Sequence, residues 1–457
     1  LVFAARATRD EAWLARAIDR YHELCADPAL CGPQVVADFA AAQLREGLTF
    51  GGTVQCRSLR PAFVTADTLA QLRSAVRDFW DCISIVERHA LADPSFAAWL
   101  GLSEAERALM TIDPGYDDPT IVSRLDTFFD ARPKVIEYNA DSPAGMSYQA
   151  GQAALVRRLP VFDAFASEFD VEDLRADVAL RETLVAVWDE FCERKGIARR
   201  PPSVAVLDVA KAATSTEFSL VVADLEAHGM SASIATPEDL RYAGGELRAF
   251  GRRVDLVYKR LLVADFLAHY GLNHPLVQAY ADGAVCVASS FRCTIAHKKR
   301  ALAALWDEGN AAWFSQQQRE AIVRLVAQTW RLEDIERSRL EDEQRAFVLK
   351  PNDAHGGENV FLGWETAAQS WHSALDLAAT ADYVVQERVP APVAIYPVFD
   401  ASAPERGASL EPLIEDRNAY VFRGHAGGIL TRLSDNGIIN VSRGGQAIPT
   451  FVVHKRA

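Results

Sequence analysis

Ile121-Val-Ser-Arg-Leu-Asp-Thr-Phe128 and Lys134-Val-Ile-Glu-Tyr-Asn139 are separated by Phe129-Asp-Ala-Arg-Pro133. The two runs read as β-strands and the residues between them as a turn. The two-residue period of a strand puts Arg124 and Asp126 on one face of the first strand, and Glu137 and Asn139 on one face of the second. Facing residues of a hairpin share a constant index sum, so a single register sets Asp126 opposite Glu137 and Arg124 opposite Asn139. Like charges placed opposite each other are destabilising unless something compensates. A divalent cation would do so: two carboxylates and an amide oxygen suit Mg²⁺ held together with nucleotide phosphates. Arg124 would stand beside them as a clamp for a phosphate or an acyl phosphate. The plainer alternative is a solvated hairpin face with an ordinary Arg–carboxylate pair.

A second group of residues lies far along the chain. Phe347-Val-Leu-Lys350-Pro-Asn-Asp-Ala-His355-Gly356-Gly357-Glu-Asn-Val360 reads as a strand, a glycine turn and a second strand. Glycines let backbone N–H groups approach a phosphate, and a lysine adds a point charge. An ordinary Gly-Gly hairpin with a lysine at its edge fits the same residues. No GxxxxGK[ST] is present, which excludes a Walker P-loop, and no GxGxxG follows a strand. Asp382-Tyr-Val-Val-Gln386-Glu387-Arg-Val389 is a strand ending in polar residues that could address an adenine, or simply meet solvent. Cys293-Thr-Ile-Ala-His-Lys298-Lys299-Arg300 is a basic helix start, uninformative by itself.

The surrounding chain is α/β in texture. Residues 9–30 and 67–110 carry helical periodicity, with Leu69, Leu72, Val76, Phe79 and Trp80 as core candidates, so the part up to about residue 110 is expected to be mostly helical. A helix-like stretch runs over about 150–195 and Pro201-Pro202 marks a boundary. Strands at 204–209, 232–236 and 254–258 flank a helix at 215–228, a spacing that predicts parallel pairing. Helices after residue 290 give way to strands at 346–350, 359–363 and 382–389, and a β-rich section from about 418 to 453.

Composition bounds the function. The chain has 457 residues, with 48 Lys+Arg against 62 Asp+Glu, a formal charge of −14. That balance argues against a nucleic-acid partner, which needs a positive face. No run approaches the ~20 apolar residues that span a bilayer, and no signal peptide is visible at the start, which lacks Met. Seven cysteines without CxxC pairs read as reduced thiols rather than a disulfide frame or zinc site. The expectation is a soluble cytoplasmic protein.

Taken together, these segments resemble the ATP-grasp superfamily, in its circularly permuted branch related to glutathionylspermidine synthases. The resemblance rests on Arg124-Leu-Asp126, Glu137-Tyr-Asn139-Ala-Asp141-Ser-Pro, Val257-Tyr-Lys259-Arg, Lys299-Arg-Ala-Leu-Ala-Ala-Leu-Trp306, Phe347 through Val360, Tyr383-Val-Val-Gln-Glu387 and Gly427-Gly-Ile-Leu-Thr-Arg432, in the order of that branch. It covers roughly residues 115–455. It implies an α/β (α+β) ATP-grasp fold using ATP and Mg²⁺. The implied parts are a helical region at 1–110, a permuted metal-binding part at 111–200, a pre-ATP-grasp substrate domain at 201–290 and nucleotide-binding lobes at 291–457.

Residue by residue, the resemblance makes Asp126, Glu137 and Asn139 metal ligands, and Arg124 the arginine that stabilises an acyl phosphate. Lys299 and Lys350 become the ATP-phosphate lysines, and Gly356 and Gly357 the loop over the triphosphate. Gln386, Glu387 and the backbone near Val389 become the adenine hinge, and Arg432 an arginine near the transferred phosphoryl group. His355 departs from the pattern, standing where Arg or Lys is common, and the ending Asn440-Val-Ser-Arg-Gly-Gly445-Gln departs from true glutathionylspermidine synthases. The implied activity is an ATP-dependent carboxylate–amine ligase working through an acyl phosphate. The rivals are a phosphotransferase on the same fold and a nucleotide-binding protein without chemistry. Asp141, Tyr258 and Lys259 could seat the small-molecule acid and amine, or be ordinary strand-end polar residues. The acidic total suits a cationic amine, and a homodimer is the family-level expectation.

Overall fold

The computed structural model describes residues 9–212, 214–354 and 356–456. The hairpin forms as Val122–Phe129 and Pro133–Asn139, with Arg124 opposite Asn139 and Asp126 opposite Glu137. Immediately beyond that pair the register slips at a bulge, so that Thr127 faces Val135. Thr127 is held from its other side: its N–H donates to Asn418 Oδ1 at 3.1 Å and its hydroxyl donates to the Arg417 carbonyl. The bulge therefore leaves the polar end of the hairpin intact and re-aims only the end near the turn.

The first hairpin strand pairs along its outer edge with Ala408–Phe422, which pairs in turn with His425–Ser434 and Val393–Phe399. Gln446–Ile448 completes a six-stranded antiparallel sheet. Segments far apart in the chain thus lie side by side. A second antiparallel sheet runs Thr329–Arg331, Tyr383–Glu387, Phe347–Pro351, Phe361–Leu362. Helix Ala368–Thr380 covers it, burying Trp371, Ala374, Leu375 and Ala378 against Phe347, Leu349 and Val385. A third sheet is fully parallel, in the order Cys286–Ala288, Leu256–Lys259, Ser203–Leu207, Ser231–Ala235. Its inner strands Ser203–Leu207 and Leu256–Lys259 are buried almost throughout and its crossovers include helix Ser215–Ala227, as expected where both faces are covered.

The 27-residue helix Ala66–Ala92 starts at Thr65, whose side chain accepts from Thr68 N–H, and stops at Asp93 before Pro94. Leu69, Leu72, Val76 and Phe79 are buried and Trp80 packs at the rim, in one core with Leu125 and Tyr138 of the hairpin. The helical periodicity is thus core packing that supports the hairpin from behind.

The structure refines two expectations. The N-terminal part also contains the pair Thr49–Phe50 and Thr53–Val54 and the strand Ala62–Val64, which pairs with Thr450–His454. Strands this short show no period. The stretch 150–195 divides into Met146–Val156, Pro160–Glu168 and Ala176–Lys195, with strand Asp170–Asp173 between the last two. Pro160 has no N–H to continue a helix and instead opens a new one. All seven cysteines carry free thiols. Among the described residues no helix is long and apolar enough to cross a membrane.

Candidate active site

The three larger sheets converge on a cavity of about 1190 Å³. The hairpin contributes Arg124, Glu137 and Asn139, the helix start Lys299, the second sheet Lys350 and Gln386, and the long C-terminal strands Asp416 and Arg432. Gly356, Gly357, Glu387 and Val389 also line it. Among the described metal, phosphate and hinge residues picked from the sequence, Asp126 alone does not. Asp126 is fully buried behind the wall, and His355 lies outside the described residues.

Charge is concentrated on one wall. Arg124 makes a forked contact with Asp126, 2.7 and 3.0 Å long, and Arg432 reaches the same carboxylate at 2.8 Å. Arg432 also binds Asp416, its cross-strand partner, at 2.6 and 2.9 Å. The Arg–carboxylate pair expected from the plainer reading of the hairpin is therefore present, but in a buried network rather than on a solvated face. Asp126 spends its oxygens on two arginines. Lys299 Nζ lies 3.2 Å from Glu137 and donates to the Ala354 carbonyl at 2.7 Å. Lys350 Nζ donates to the Ile136 carbonyl at 3.0 Å and to Gln386 Oε1 at 2.8 Å.

Four cations, Arg124, Lys299, Lys350 and Arg432, thus surround Glu137, Asp126 and Asp416. The ionisation states show how crowded they are. Burial opposes the charge on Glu137, yet Lys299, Lys350, Arg432 and Arg124 together hold its carboxyl down to about 2. Burial and the nearby Lys299 push the Lys350 ammonium down to about 8, against the pull of Glu137 and Asp126. Burial lifts Asp416 to about 6 despite Arg432. A buried lysine destabilised by a neighbouring lysine fits a bound polyanion, which would relieve both. For a metal ion, the Glu137 carboxylate and the Asn139 amide face the cavity. Asn139 also carries a buried amide nitrogen without a hydrogen-bond partner. No group of three or more His, Cys, Asp and Glu suited to a metal occurs among the described residues, so a hard cation here would lean on the amide and on phosphate oxygens.

The neighbouring slot is apolar, lined by Phe128, Ile136, Val348 and Leu362, with Gln386 to Val389 along its edge. The Gln386 side chain is engaged at both ends, by Lys350 and through its own donation to Thr329 Oγ1 at 3.0 Å. Glu387 accepts from Gln328 N–H at 2.9 Å. These side chains brace the lysine and the strand, which leaves backbone groups to meet a ligand. Gly357 sits at φ +74°, and a Cβ there would lie 2.7 Å from Ile438 Cγ2. Arg443 from the facing turn donates to the Gly356 carbonyl at 3.3 Å.

The opposite end of the cavity opens at the C-terminal ends of the parallel strands, where Asp208 and Arg260 follow Leu207 and Lys259. Crevices at such ends are the usual ligand sites of parallel sheets. Asp141 lines the cavity, but its charge is committed. Lys259, fully buried, ion-pairs with it, and Val263 N–H donates to it at 2.7 Å. Lys259 and Tyr258 do not line the cavity and so act in support; Arg260, one residue on, does line it. Arg260 Nη1 donates to the Pro143 carbonyl at 2.6 Å and to Tyr258 OH at 3.2 Å.

Sequence reasoning passed over Asp416, Arg260, Asp208 and His297, all in the cavity wall. Strand alternation could have found Asp416, two residues from Asn418. His297 had no distinguishing signal within a basic run.

Searches of the sequence are silent: no family model and no curated protein matches. Among solved structures, a glutathione synthetase like-effector from Globodera pallida in apo form superposes with a TM-score of 0.60 at 13% identity, over 98% of both chains. The two chains share one fold. A provisionally assigned γ-glutamylcysteine synthetase from Methylobacillus flagellatus is more distant, with a TM-score of 0.40 at 10% identity over 85% of this chain and 89% of that one.

Proposed function

We propose that this chain is an ATP-dependent carboxylate–amine ligase of ATP-grasp type, joining an acid to an amine as an amide with release of ADP and phosphate. The observation that carries the reading is the bed of four cations around Glu137 and Asn139, beside an apolar slot and open to a second, polar subsite. The order of the segments, with the hairpin ahead of the lysine and hinge strands, fits the permuted branch. The fold shared with a protein named for its likeness to glutathione synthetase supports the ligase class.

ATP, consumed as co-substrate, supplies the phosphoryl group that turns the acid into a reactive acyl phosphate. The chain's own contribution is positioning and charge neutralisation, as in other phosphoryl transfers. Lys299 and Lys350 hold the triphosphate, and Arg124 and Arg432 meet the charge that develops on the transferred group. Asp126 and Asp416 orient those two arginines. Glu137 and Asn139 would hold Mg²⁺, which offsets phosphate charge, once a phosphate draws Lys299 away from Glu137.

The test is product mass. The protein is incubated with Mg·ATP, glutamate, γ-glutamylcysteine or glutathione as acid, and glycine, hydroxylamine or spermidine as amine. ADP release that needs both an acid and an amine, with a product of their summed mass less water, is the expected result. Glu137→Ala should lower that release by about 10²–10³-fold; unchanged turnover would remove the metal assignment. An acid or amine carrying only an added phosphate would make the protein a phosphotransferase. Nucleotide binding without product would make it a binding protein.

A further inference from the structure

His297, Lys298 and Lys299 are consecutive, and each meets a different fate. Lys298 is buried between Glu106 at 2.8 Å and Asp353. Lys299 faces Glu137. His297 is 8% exposed and lines the cavity, and its Nδ1 is buried with no hydrogen-bond partner. Buried polar atoms are nearly always paired, so an imidazole left unpartnered in the wall of a cavity points to a group that pairs with a ligand. Its place is the junction of the two subsites. Lys299 of the phosphate bed follows two residues on, and Asp141, another residue of the cavity wall, acts on it electrostatically.

We propose that His297 is the general base of the amide-forming step, taking a proton from the incoming ammonium. The assignment rests on the ligase reading above. An amine arrives protonated at neutral pH and must lose a proton before it can attack. The titratable groups of the phosphate bed, and Asp141 beside them, are already engaged. Glu137 and Asp141 are each held down to about 2, Asp416 is bound by Arg432, and Lys350 stands among the phosphate cations. Burial keeps the His297 imidazole neutral; Lys299 and Lys298 push the same way, while Asp141 and Asp353 pull against them. A neutral imidazole has a free ring nitrogen with which to accept a proton.

The step balances as follows. One ammonium proton passes to the imidazole, and the freed nitrogen lone pair forms the C–N bond at the acyl carbon. The C–O bond to phosphate breaks with its electron pair on phosphate, which leaves with the second nitrogen proton. The imidazolium then returns its proton to water.

The experiment compares two amines on the same acid, the one the wild-type protein uses fastest. Glycine is protonated at neutral pH and hydroxylamine is not. His297→Gln should lower amide formation with glycine at pH 7 by about 10²-fold or more. With hydroxylamine it should lose no more than about threefold, and the glycine deficit should narrow as pH rises and the free amine accumulates. His297→Asn, with folding checked by thermal melting and by Mg·ATP calorimetry, should repeat the pattern. Equal losses with both amines, or a pH-independent glycine deficit, overturn the base while leaving the ligase intact. A wild-type protein silent with every acid and amine pair overturns the ligase reading, and the base with it.

Discussion

Lys350 is the residue at which burial and function meet most sharply. It is half-buried in the cavity wall, and its ammonium is pushed down to about 8 by burial and by Lys299. An unfolded lysine titrates near ~10.4. Between these values the unfolded chain binds more protons than the folded one, so Lys350 makes the ligand-free protein more stable as pH rises from about 8 to 10. A triphosphate would reverse that by stabilising the charged form. Calorimetry of Mg·ATP binding at pH 8.5 in buffers of different ionisation enthalpy should therefore register proton uptake, and Lys350→Met should abolish it. Binding without uptake in the wild-type protein would move the phosphate site away from this lysine. Glu137 gives the same slope at acid pH: held down to about 2, it contributes stability above the usual carboxylate range, and this is lost as pH falls from about 4 towards 2.

At the scale of elements, the network Arg124–Asp126–Arg432–Asp416 ties together the strands Val122–Phe129, Ala408–Phe422 and His425–Ser434. Asp126→Ala leaves two buried arginines short of a partner and should destabilise the protein by about 3–5 kcal/mol in urea unfolding. Asp126→Asn, which keeps an acceptor, should cost less; equal costs would mean that the network does not join these strands energetically. How far this was legible differs from strand to strand. The facing of Asp126 and Glu137 was readable because alternation and the index sum need only local sequence. The bulge one residue later was not, because the groups that hold Thr127, on Arg417 and Asn418, come from a strand far along the chain. The same distance hid the role of Asp416. It also hid that of Gln386, whose side chain proves to brace Lys350.

For the whole molecule, the net charge of −14 excludes less than it first suggests. Acidity is a property of the total, whereas Arg124, Lys299, Lys350 and Arg432 gather on one wall of the cavity. The parallel sheet was legible as an α/β unit because its inner strands are short, largely apolar runs and a helix lies between two of its strands. The meeting of three sheets around one cavity was not, since it depends on contacts between chain segments that no local pattern records. The central claim is that a carboxylate attacks the γ-phosphate and an amine then displaces phosphate. The most direct measurement is isotope transfer: the acid is labelled with ¹⁸O in its carboxylate, turned over with ATP and amine, and the released phosphate is weighed by mass spectrometry. One ¹⁸O per phosphate is the expected result; unlabelled phosphate, with the label kept whole in the acid or product, would contradict it.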